Sequence, residues 1–156
     1  VRLKSDKLGW EPVYRWKDRF PTIEIDEGHL NINSLIKKSR IYVSTYNATT
    51  FLESITMNVP TIMFWNPNHW ELRDSAIPFF DSLKDVGILH DTPESAAEQV
   101  NAIWEDVNSW WDDDILQETL KSFKKHYSHI PKGGIVKQVS HALKEATLIS
   151  ENLKKC

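Results

Sequence analysis

Short runs rich in Val, Ile and Phe alternate with longer helical patterns as far as His90. This constrains the fold most, because alternating strands and helices form βαβ units, and parallel strands need a crossover helix between them. Strands are expected at Val1 to Lys4, Thr22 to Asp26, Arg40 to Ser44, Pro60 to Trp65 and Val86 to His90. Helices are expected at Trp10 to Arg19, Asn31 to Lys38, Thr50 to Met57 and Leu72 to Leu83. The pattern is that of an α/β doubly wound parallel sheet. After His90 it stops: "TPESAAEQVNAIWEDV" offers Thr92 as an N-cap, Pro93 at the first helical position and acid in the first turn. Two C-terminal helices should follow, near Asp112 to Tyr127 and Ile135 to Leu153, split by "IPKGG".

At 156 residues and 40% hydrophobic, the chain can bury the core of one globular domain, and no internal linker divides residues 1–156. Its longest apolar runs fall far short of the roughly 20 residues that span a bilayer. The opening "VRLKSDKLGW" reads as entry into a strand, so a C-terminal fragment of a longer protein is expected. A net charge of −3 with both signs interspersed offers no basic face to a nucleic acid. The single cysteine, Cys156, permits neither an intrachain disulfide nor a cysteine metal cage, which suits a reducing cytoplasm. There the sequon at Asn47 reads as chance.

The chemistry concentrates in "SRIYVSTYNATTFLESITMNVPTIMFW", residues 39–65. Ligands of open parallel sheets bind beyond the carboxyl ends of the strands, where loops run into helix N-termini. Ser44, Thr45, Asn47, Thr49 and Thr50 occupy such a loop, and a helix N-terminus favours an anion such as phosphate. Glu53 shares a helix face with Thr49 and Thr50, and a carboxylate there accepts hydrogen bonds from a vicinal diol. Diphosphate at the helix tip with ribose one turn back is what a bound nucleotide needs. The same letters also fit a capping box, Thr50 bonding the N3 amide and Glu53 reaching back, with no ligand involved. From spacing alone the two readings stand even. Neither a G-x-G-x-x-G fingerprint nor a Walker loop occurs.

"VSTYNATTFLESITMNVPTIMFW", followed by "NPNHWELR", "VGILH" and "WW", resembles the carboxyl-terminal half of a family of bacterial surface-carbohydrate transferases with the GT-B fold. "TTFLESITMNVPTI" is similar to the "LEAxAxGxP" stretch that holds the donor nucleotide in many GT-B glycosyltransferases. The narrower resemblance spans nearly the whole chain and the broader one about residues 44 to 65. It implies a Rossmann-like donor-binding domain, with a nucleotide-sugar as substrate and no cofactor or metal. Thr49 and Thr50 would hold the diphosphate and Glu53 the ribose. A carbohydrate or lipid-linked acceptor would be held by an amino-terminal domain, at the inner face of the membrane. The sequence departs from the pattern at Asn58, where many relatives have glycine, and at Tyr46-Asn47-Ala48, which replaces a glycine-rich turn.

The loop "WNPNHWELRDS" should open onto the same edge. There Arg73 would neutralise phosphate, His69 would donate to the leaving diphosphate or sugar, and Trp70 would cover a ring of the donor. The structural alternative is a loop in which Asn66 and Asn68 make local turns and Trp70 anchors the helix. His69 and Arg73 are the catalytic candidates. Gly28, after the second expected strand, would let the backbone approach a base or ribose. His126, His129, His141 and the lysine-rich tail read as surface. Asp112 to Asp114 read as carboxylates at a helix N-terminus, and Trp104, Trp110 and Trp111 as pins for the terminal helices.

Two rival functions remain open at this level. One is a GT-B-like nucleotide-sugar epimerase or polyol-phosphate transferase, for which His69, Glu71 and Asp74 are the acid–base candidates. The other is a non-catalytic interaction module in which Glu53 serves only its capping box.

Overall fold

The computed structural model describes residues 1–3, 9–128 and the backbone of 134–153, with side chains as far as Thr147. Three parallel strands, β1 (Tyr42–Ser44), β2 (Thr61–Phe64) and β3 (Leu89–His90), form one sheet in that order. Register pairs Val43 with Ile62 and Met63 with Leu89. Eight helices accompany them among the described residues: α1 (Pro12–Arg19), α2 (Ile32–Lys38), α3 (Thr49–Thr56), α4 (Ile77–Asp85), α5 (Pro93–Ile103), α6 (Val107–Trp111), α7 (Asp114–Tyr127) and α8 (Ile135–Leu153).

The central strand β2 is apolar on both faces, as a parallel strand covered on both sides must be. Met63 points into a core with Phe51 and Ile55 of α3, Phe80 and Leu83 of α4, and Leu116, Leu120 and Phe123 of α7. The next residue back, Ile62, points the other way, to Ala96 and Ile103 of α5 and Val107 of α6. One strand thus ties two helical layers to one sheet through its period of two. Burying each such side chain contributes about 1.5–3 kcal/mol.

Helix starts follow local chemistry. Asn31 caps α2, Thr92 caps α5, Asp106 caps α6 and Asp113 caps α7, each by accepting from first-turn amides. Helix α4 starts at Ile77 and not at the expected Leu72, because Pro78 is tolerated only in a first turn. The helix expected at Asp112 to Tyr127 forms as α7 from Asp114, its start fixed by Asp113, whose Oδ1 accepts from Ile115 and Leu116; the short α6 before it was not expected.

The expected strands Val1 to Lys4 and Thr22 to Asp26 reduce to one parallel bridge, Arg2 to Asp26, with Lys4 outside the described residues. The other three strands are shorter than expected. A complete doubly wound half is therefore more than this sheet contains. Trp110 and Trp111 pin their helix as expected, their indole N–H groups donating to Val86 O at 3.1 Å and Asn58 O at 3.2 Å. Trp104 does not: it is exposed and holds the Arg40 guanidinium 4.8 Å from its ring centroid.

Candidate functional site

The carboxyl end of β1 runs through residues 45–48 into α3. Ser44 is buried, and its Oγ donates to Tyr46 O at 3.2 Å. The Ala48 amide donates to the same carbonyl at 3.1 Å, so this loop is held by its own chain. Thr45 and Thr49 are exposed, while Asn47 and Thr50 are half-buried.

The N-cap of α3 is Ala48, and no side chain caps the helix. The capping box is therefore not formed: the helix starts at Thr49, which puts Thr50 inside the first turn and Glu53 a further turn in. No acceptor among the described residues takes the amides of Thr49 and Thr50. The exposed Glu53 carboxylate has no hydrogen-bond or ionic partner among them either. Unpaired first-turn donors and an unpaired carboxylate on one helix thus face solvent at the carboxyl edge of the sheet.

Tyr42 joins this group; in the sequence it is only one β-prone letter of the run that forms β1. It lies two residues before Ser44 and so shares that strand face. Burial raises the pKa of its phenol; the hydroxyls of Ser44 and Thr50 oppose the shift, and Tyr46 and Glu53 add to it. One half-buried phenol therefore adjoins four residues of the loop and first turns.

The loop after β2 opens onto the same edge. Asn66 Oδ1 accepts from the Asn68 amide at 2.9 Å, and the His69 amide donates to Asn66 O at 3.0 Å, so the turn forms as expected for a local structure. His69, Trp70 and Arg73 are exposed. The Arg73 guanidinium has no partner among the described residues. The two loops meet where Tyr46 approaches Trp70, ring centroids 6.3 Å apart.

Gly28 lies with a different group. It takes φ +101°, and Arg2 Nη2 stands 3.7 Å from where a Cβ would project. Arg2 also bonds Asp26 at 2.9 Å. Burial would raise the Asp26 pKa, but the amides of Leu30, His29 and Gly28, with Arg2, outweigh it and hold that carboxyl below its ordinary value. Of the remaining histidines, His126 rests on Phe79 with ring centroids 4.1 Å apart, His141 is exposed beside Glu145, and His129 lies outside the described residues.

One cavity, of about 630 Å³, lies elsewhere, along β3 and α5. Several of its polar groups are already paired. Lys84 pairs with Asp91 at 2.9 Å, His90 Nδ1 meets Ser95 Oγ at 2.8 Å with Nε2 3.1 Å from Gly87 O, and Thr92 caps α5. A smaller cavity of about 340 Å³ is lined by Arg40, Glu105 and Asn108. Neither lining includes the start of α3, where the unpaired amides of Thr49 and Thr50 and the Glu53 carboxylate lie.

A parallel sheet with helices packed on it and its open groups gathered at the strands' carboxyl ends places the chain in the α/β class. More narrowly, it belongs to the LIC12162 family of transferases, whose family model matches residues 1–143. No curated protein and no solved structure matches it. No helix of the described residues is long and apolar enough to cross a membrane.

Proposed function

We propose that this transferase chain is the donor-binding part of a glycosyltransferase with a GT-B-like architecture, which takes a sugar from a nucleotide-sugar to a surface-carbohydrate acceptor. The observation that carries the reading is the start of α3: no side chain caps it, two threonines lie in its first turn, and Glu53 has no hydrogen-bond or ionic partner among the described residues. In this reading the amides and hydroxyls of Thr49 and Thr50 take the diphosphate, Thr45 and Asn47 border it, and Ser44 holds the loop in shape. Glu53 accepts from the ribose diol.

Arg73, exposed and without an ionic partner among the described residues, reaches toward the diphosphate and offsets its charge as the leaving group departs. His69 is the nearby proton donor. The transfer thus rests on positioned donors and needs no covalent intermediate. Residues 1–156 act as one nucleotide-sugar-binding domain, and a further domain supplies the acceptor site and the general base. Gly28 adjoins Arg2 and is the weakest member of the set.

The rival readings as epimerase, polyol-phosphate transferase or interaction module have less to rest on. The capping box that would have occupied Glu53 is absent.

The test is calorimetric titration with uridine, cytidine, guanosine and thymidine diphosphates and their sugar conjugates, for the native chain and Glu53→Gln. A charge-assisted bond contributes about 1.5–3 kcal/mol, so the variant should bind roughly 10- to 100-fold more weakly with an unchanged melting point. Binding to none of the panel, or equal binding by Glu53→Gln, overturns the assignment.

A further inference from the structure

Strand β3 is an edge of the sheet, pairing among the described residues with β2 alone. The carbonyls of Ile88 and His90 accept from the Met63 and Trp65 amides at 2.7 and 3.3 Å. Successive peptide groups of a strand alternate sides, so the N–H and C=O of Leu89 point away from β2. Neither has a hydrogen-bond partner among the described residues. The Leu89 side chain lies in the core and the residue is only 3% exposed, so its backbone is the part that lines the cavity of about 630 Å³. Buried backbone groups are nearly always paired, which makes an open donor and acceptor side by side a mark of a site to be filled.

The edge is closed to a further strand, because the peptide groups before Leu89 are taken. Val86 O accepts from the Trp110 indole at 3.1 Å, Gly87 O lies 3.1 Å from His90 Nε2, and the Gly87 amide donates to Lys84 O at 2.9 Å. Strand addition uses free groups in succession, and Leu89 offers those of one residue. A small ligand fits instead, and the cavity volume lies within the roughly 300–1,000 Å³ of small-ligand sites.

Two side chains extend the open set. Gln99 is half-buried, its carboxamide lies against Gly87, and it has no hydrogen-bond partner among the described residues. Gly87 O can only accept, so His90 Nε2 carries the proton and Nδ1 of the neutral ring accepts from Ser95 Oγ at 2.8 Å. The Ser95 oxygen keeps its lone pairs for a ligand. Charge selects against an anion, since Lys84 is paired with Asp91 at 2.9 Å and Asp85 adds a second carboxylate to the lining. The open groups are therefore neutral donors beside neutral acceptors. Hydroxyls, each donating and accepting at one atom, match them; a phosphate, which only accepts, does not.

We propose that this groove binds a neutral saccharide, two neighbouring hydroxyls of which bond the Leu89 N–H and C=O while Gln99 and Ser95 hold another. The site shares no lining residue with the start of α3 and does not rest on the donor reading.

The experiment is a heteronuclear NMR titration of the native chain, Gln99→Ala and Glu53→Gln. The probes are glucose, galactose, mannose and N-acetylglucosamine, with a capped tetra-alanine peptide and UDP as contrasting arms. Alanine is the best helix former, so Gln99→Ala leaves α5 intact. At least one saccharide should shift the Leu89 amide and the Gln99 side-chain amide saturably, with Gln99→Ala binding it about tenfold more weakly and Glu53→Gln binding it as the native chain does. If no saccharide moves the Leu89 amide, or Gln99→Ala binds as tightly as the native chain, the proposal falls. A shift of Leu89 by the peptide and by no saccharide overturns the ligand class, and a shift by UDP overturns the argument from charge.

Discussion

Asn58 follows α3 with φ +56°, one of two non-glycine residues with positive φ among the described residues. It ends the helix: its amide donates to Ile55 O at 3.1 Å and the Val59 amide to Ser54 O at 3.0 Å, the paired bonds of a Schellman turn. Its carbonyl accepts from the Trp111 indole, so the turn also anchors the start of the C-terminal helices. Left-handed backbone costs an ordinary L-residue about 1–2 kcal/mol, and asparagine tolerates it better than alanine does. Asn58→Ala should therefore lose about 1–2 kcal/mol, and Asn58→Val more, since a β-branched side chain is worst placed there. Asn58→Gly should lie within about 0.5–1 kcal/mol of the native chain, its relief from strain offset by the freedom glycine gains when unfolded. For a chain of this size each kcal/mol moves the melting point by about 2–4 °C. Urea unfolding followed by circular dichroism measures the series, with an unchanged m-value as the check that only stability moved. The order expected is Gly and Asn, then Ala, then Val; Ala at or above Gly would refute the argument, because side-chain volume and not backbone conformation would then govern the site.

Other outcomes follow from the core and from titration. Ser54 and Thr61 are fully buried with hydroxyls 2.9 Å apart, so Ser54→Ala and Thr61→Val should each cost about 1–2 kcal/mol. In a double-mutant cycle they should couple by about 0.5–1.5 kcal/mol; strict additivity would show the contact to be energetically empty. Tyr42 gives the pH dependence. Its folded pKa is raised above the ordinary 10.0, so the stabilising difference is complete below that value and is lost as pH rises through the folded pKa. Absorbance at 295 nm should therefore show one tyrosine titrating late, absent in Tyr42→Phe, and native stability should fall more steeply than the variant's above the ordinary value.

How much of this was legible in the letters depended on whether each signal was local. The segment from β1 through α3 to β2 carried its own evidence, since the apolar runs, the threonines at the helix start and the stop at Asn58 are all near neighbours in sequence. The Thr92 cap of α5 was legible for the same reason, and the acid run at Asp112 to Asp114 marked a helix N-terminus without singling out Asp113 as the cap. The first two expected strands were not, because a β-prone run becomes a strand only when a partner accepts its ladder, and Arg2 and Asp26 alone make that pairing. Helix α6 was not legible although Asp106 accepts from the Ser109 amide at its start, because five residues are too few to show a helical period. At the site the letters offered two roles for Glu53 that spacing could not separate. The start of α3 removes one of them: with Ala48 as N-cap, the capping box does not form. Tyr42 and the Tyr46–Trp70 contact lay beyond reach, since each depends on which residues the sheet brings side by side. The existence of α3 can therefore be argued from sequence chemistry, while its first residue and the contacts between the β1 and β2 loops belong to the tertiary fold.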